Sequence, residues 1–171
     1  MGMTGTVAQW LSKLPDVTYG QRLINVFDPI ADRQSTQMLV TAGLVVKAAG
    51  GTLSKIGASA CYGTTKGILF TIAASTDMPA LSGTIAQNDY NVFCYFQDNA
   101  GTRTSAMGTG ATAIAAVKFP PFPTNKCLIG FVLVIKTNAD YVGGTTAWNA
   151  TGVTAVHISP VGPFDPSIKL R

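Results

Sequence analysis

Cys127-Leu128-Ile129-Gly130-Phe131-Val132-Leu133-Val134-Ile135 is the most apolar stretch of the chain, and its reading decides the fold. It has nine residues, no charge and four β-branched side chains. Lys126 and Lys136 bound it, prolines at 120, 121 and 123 precede it, and Gly143-Gly144 follows. A helix needs about 20 apolar residues to cross a bilayer, so this stretch is expected to be one buried strand. A strand with a single face in the core alternates apolar and polar residues; this one does not. Its second face therefore needs a cover, supplied by another sheet, an arm of the chain or a neighbouring subunit. That requirement points to a β protein that assembles.

Composition agrees. Hydrophobic residues make up 47% of the 171-residue chain and charged residues 12%, about half the roughly 25% charged share of ordinary domains. All eight acids are Asp; Glu, a good helix former, is absent. Thr and Gly are abundant. The expected fold is all-β or mainly β: an antiparallel sandwich or barrel over 33–171, preceded by a short, partly helical N-terminal arm over 1–32. So little charge leaves much of the surface to Thr, Ala, Gly, Asn and Gln, which suits packing among copies or on a larger particle. The net charge of +4 is spread along the chain without a basic run, so no direct nucleic-acid contact is expected. Nor is a membrane span.

In the arm, Val7, Trp10, Leu11 and Leu14 follow helical spacing, and Pro15 stops the pattern. Leu23, Val26, Phe27 and Ile30 repeat it, interrupted by Pro29. Trp10, Leu11, Leu14, Phe27 and Ile30 are the candidate anchors onto a neighbour; packing on the domain's own core is the equal alternative. From residue 36 the period falls to two. Met38, Val40, Ala42, Leu44 and Val46 share one face of a strand over 36–47. Further strands are expected at 52–56, at 60–62 ended by Gly63, at 66–73 with Ile68, Phe70 and Ile72 inward, at 92–97, at 102–107 and at 153–159. Asp98-Asn99-Ala100-Gly101 reads as a hairpin turn. Residues 75–91 read as a polar connection. The small residues of 108–118 suggest close packing against a neighbour, and 137–152 a loop carrying Tyr141 and Trp148.

Catalytic chemistry finds little footing. His157 is the only histidine, so a nucleophilic triad would have to use it. Its place in a strand marks it as a satisfied or interfacial residue. Cys61, Cys94 and Cys127 are far apart and odd in number, which suits buried thiols in a reducing compartment. Neither CxxC nor HxxxH spacing is present, so no metal is expected, and no cofactor. Gly108-Thr109-Gly110-Ala111-Thr112-Ala113 matches a dinucleotide fingerprint by letter, but it lacks the preceding apolar strand and the acid about 20 residues on. Most Asp residues fall at turns, where they bond locally, and no acid–base pair stands out. The N-terminus shows no charged n-region or apolar h-region, so no secretory signal is expected.

Three stretches carry a resemblance: A-D-R-Q-S-T (31–36) leading into a Val-rich strand, F-P-P-F-P-x-x-K-x-x-I-G-F-V-x-V (119–134), and Gly143-Gly144-Thr145-Thr146-Ala147 followed by V-T-A-V-H-I-S-P-V-G-P-F-D-P (153–166). In content and order they resemble small virion proteins of tailed bacteriophages, over about residues 31–166. The resemblance implies a non-enzymatic β protein of the particle, a capsid decoration (cement) protein that reinforces the shell. It further implies a homo-oligomer, commonly a trimer, partnered by the major capsid protein and sited on the virion surface after synthesis in the host cytoplasm. The alternative is a tail, baseplate or fibre component that binds a host-surface glycan. For that role Tyr141 and Trp148 are the candidate stacking platform.

Overall fold

The computed structural model describes residues 24–170 apart from 26, 29 and 33. The described residues of 24–35 are helical, Phe27 and Ile30 among them. Everything after it is β structure and loop. The strands are β1 (Gln37–Met38), β2 (Val45–Val46), β3 (Ser54–Lys55), β4 (Cys61–Thr65), β5 (Ile68–Ile72), β6 (Thr84–Ile85), β7 (Tyr90–Gln97), β8 (Arg103–Met107), β9 (Cys127–Lys136), β10 (Tyr141–Val142) and β11 (Val153–Ile158). A single 3-10 turn, Ile114–Ala116, lies between β8 and β9.

The strands form two main antiparallel sheets, β11-β9-β7-β8 and β1-β4-β5, with the small ribbons β10-β6 and β2-β3 beside them. The fold is mainly β and sandwich-like. Met38, Cys61, Phe70 and Ile72 of the smaller sheet meet Phe93, Tyr95, Ile129, Val132 and Val134 of the larger in one buried cluster. Each fully buried aromatic or aliphatic side chain there contributes about 1.5–3 kcal/mol of transfer free energy.

The apolar stretch is the centre of the larger sheet, as expected. β9 lies between β7 and β11 and is buried at seven of its ten positions. Its second face is covered from within the chain. Leu128 and Phe131 pack with Val92, Cys94 and Phe96 of β7 under Val117 and Phe119, and Phe122, Phe164 and Leu170 close over them. The rings meet mostly edge to face: Phe119 lies 5.0 Å from Phe131, 5.2 Å from Phe164 and 6.3 Å from Phe122, arrangements that add to area burial. The proline-rich lead-in and the C-terminal tail thus supply the missing layer, and the inference that β9 calls for a neighbouring subunit loses its ground.

β9 also changes sides along its length. Cys127 and Ile129 face the inter-sheet cluster, and so do Val132 and Val134, whereas Leu128 and Phe131 face the outer one. Strict alternation forbids this. A bulge allows it: Tyr95 pairs with Gly130 but Phe96 pairs with Leu128, leaving Ile129 as the extra residue. Glycine is required beside the bulge, because a Cβ at Gly130 would stand 2.6 Å from both the Ile158 carbonyl oxygen and a Leu44 methyl.

Several expected strands differ in extent. The stretch 36–47 breaks into β1 and β2; Met38, Ala42 and Leu44 are buried, but Val40 turns outward. β4 runs through Gly63 rather than ending there, since Phe70 and Met38 occupy the space a Cβ would need. In β5, Phe70 and Ile72 point inward, but Ile68 is exposed beside the turn. The connection 75–91 contains β6, and the loop 137–152 contains β10, which pairs with it. The small residues of 108–118 pack against their own chain: Thr109 bridges Lys118, and a Cβ on Gly108 would stand 2.2 Å from the Lys118 carbonyl oxygen. The Asp98 turn forms as read, its Oδ1 accepting from the Ala100 and Thr102 amides at 3.0 and 2.8 Å.

Candidate functional site

His157 sits on β11, partly buried. β11 places it opposite Val132 of β9, with its ring edge-on to Trp148 at 5.2 Å. Its Nε2 lies 3.1 Å from the Ser54 hydroxyl, which accepts a hydrogen bond from Tyr95 at 3.1 Å. Burial lowers the His157 pKa below its ordinary 6.5, which favours the neutral ring, and Nε2 and the Ser54 hydroxyl share one hydrogen bond. The same burial pushes the Tyr95 phenol up to about 12. The relay Tyr95–Ser54–His157 thereby satisfies three polar groups inside an apolar core. A serine beside a histidine also suggests a nucleophile, but Ser54 is 0% exposed, leaving an incoming acyl group no approach.

The cysteines are equally closed. Cys61, Cys94 and Cys127 are free and buried. Desolvation raises all three thiols, Cys127 to about 12, which disfavours the reactive thiolate. Among the described residues no three His, Cys, Asp or Glu side chains gather where they could hold a metal ion. The G-x-G-x-x-A letters at 108–113 open only the three-residue 3-10 turn, too short to present an anion-binding helix N-terminus.

Tyr141 and Trp148 are a correction. The glycan-platform reading needs them at the surface, but Tyr141 is 0% and Trp148 6% exposed. They stack on each other at 5.7 Å, and Phe93 approaches Tyr141 at 5.9 Å. β10 pairing with β6 draws Tyr141 into the core, and the Trp148 amide is tied to the Gly51 carbonyl at 3.0 Å. An aromatic in a Gly-rich loop looks exposed in sequence because the strand pairing that buries it is nonlocal.

Of the arm anchors, Phe27 and Ile30 are each 48% exposed, on a helical stretch most of whose described residues face solvent. Trp10, Leu11 and Leu14 lie outside the described residues. A second apolar surface escaped the sequence reading: Tyr62 (43% exposed) and Leu69 (60%) lie on the outer face of the smaller sheet. Reading Gly63 as a strand end hid the outward parity of Tyr62. A groove of about 330 Å³ lies beside the end of the helical stretch, lined by Asp32, Gln37, Phe122, Lys126 and Phe164 among others. Lys126 is held there by Asp98 at 3.7 Å. Among the described residues no helix is long and apolar enough to cross a membrane.

Compared with known proteins, the chain matches no family, no curated protein and no solved structure.

Proposed function

We propose that the protein is a structural virion component that decorates and stabilises a capsid by packing between subunits, with the major capsid protein and further copies of itself as partners. The observation that carries this reading is the helical stretch before β1, whose Phe27 and Ile30 stand exposed next to a well-filled β core. Apolar side chains presented this way are suited to anchoring on another chain. The low charge of 12% supports the same role, since a surface poor in Lys and Asp is cheap to desolvate in an array. The glycan-binding alternative has lost its aromatic platform to the core.

The test is removal of residues 1–32. Under this reading the truncated protein keeps the circular dichroism and cooperative unfolding of the β domain but no longer binds capsids. Undiminished binding by the truncated protein would refute the arm's role.

A further inference from the structure

We propose that β5 is a self-association edge, on which a second copy of the chain pairs its own β5 antiparallel about a twofold axis through Phe70. In the smaller sheet the outer side of β1 is closed by Gly162, whose amide donates to the Met38 carbonyl at 2.8 Å. Among the described residues, nothing pairs with the outer side of β5.

The turn geometry fixes which backbone groups face outward. β4 and β5 are joined by Lys66-Gly67, both at positive φ (52° and 77°), as a two-residue hairpin demands. Thr65 then pairs with Ile68 as the hydrogen-bonded couple, and Gly63–Phe70 and Cys61–Ile72 follow in phase. Leu69 and Thr71 therefore direct their N–H and C=O groups away from β4. Such a row is a template for pairing with another extended backbone.

The edge has none of the usual protections. Ile68-Leu69-Phe70-Thr71-Ile72 contains no charge and no proline, and its pairing with β4 has no bulge. It is also self-complementary. A twofold through Phe70 sets each Leu69 opposite the partner's Thr71, outward groups facing outward groups, and forms about four hydrogen bonds. It continues the apolar strip of Tyr62 and Leu69 from one sheet into the next. In this register Lys66 falls opposite the partner's Ala74, so no like charges meet along the strand pair. The two copies would form one six-stranded sheet. The contact is an inference about the free protein and stands or falls separately from the capsid reading.

Disulfide trapping tests the register on the full chain. Leu69→Cys and Thr71→Cys are exposed substitutions, and the native cysteines are buried. Mixed and oxidised, the two variants should give a cross-linked pair, while Leu69→Cys alone should give little, because its two sulfurs lie out of register. Sedimentation equilibrium supplies the second arm: Leu69→Lys should weaken self-association by roughly tenfold or more and leave the thermal midpoint unchanged. Three results would overturn the proposal. They are a wild-type chain that shows no association and no cross-link, association indifferent to Leu69→Lys, or association that appears only once residues 1–23 are deleted, which would make the arm the occupant of the edge.

Discussion

The two apolar clusters that flank β9 are built differently. The inter-sheet cluster is made largely of strand residues, filled by Phe93, Tyr95, Ile129 and Tyr141, and it encloses the polar relay of Ser54 and His157. The outer cluster has strands on one side only. Its other side is Phe119, Phe122, Phe164 and Leu170, carried on segments with little regular structure. Backbone hydrogen bonds of a ladder lock the first, whereas the lid of the second is held by side-chain contacts and by isolated bridges such as Met38 to Gly162 and Thr109 to Lys118. A strand apolar on both faces announces that a second cover exists; it does not say whose. Here the chain covers itself, which moves the search for assembly surfaces to the arm helix and the β5 edge.

The contrast can be broken by substitution. Trp148→Ala should be the most damaging change, costing about 3–5 kcal/mol as expected for a buried aromatic, read as a fall in the urea midpoint. Phe164→Ala, in the half-exposed tail, should cost less, about 2–3 kcal/mol. It should also raise binding of a hydrophobic dye while near-ultraviolet dichroism from Trp148 persists. Equal costs would mean the tail is as integral as the core, and the distinction between the clusters would fail.

Ser54→Ala comes next. It leaves the Tyr95 hydroxyl and His157 without their shared partner inside the inter-sheet cluster, at about 1–3 kcal/mol. The smallest effect is that of pH. The folded pKa of His157 lies below the unfolded value of 6.5. As pH falls through 6.5 the unfolded chain takes up a proton before the folded one, so stability is full above that value and declines below it. Urea midpoints measured from pH 7.5 to 5 should drop in the wild type, and the drop should shrink in His157→Gln. An identical slope in both would remove His157 from the account.

Much of this was legible in the residues. The unalternating run at 127–135, the Asp98 turn and the aromatic strand of Tyr95 stand where pattern puts them, because turn chemistry and apolar runs are local signals. What was hidden is nonlocal. The bulge at Ile129 shows only once β7 and β9 are aligned, and Gly63 reads as a stop until Phe70 is seen above it. Tyr141 and Trp148 were misplaced for the same reason: two-residue strands such as β10 and β6 have no periodicity of their own. The prolines of Phe119-Pro-Pro-Phe-Pro123 mark an extended approach to β9, but the segment's role as a lid depends on Phe164, more than 40 residues away.

The capsid reading is tested most directly by stoichiometry. Under that reading, quantitative mass spectrometry of gradient-purified source particles should find this protein in near-equal ratio to the major shell protein. A small number of copies per particle would move it to a tail or vertex, and its absence from the particles would contradict the structural role altogether.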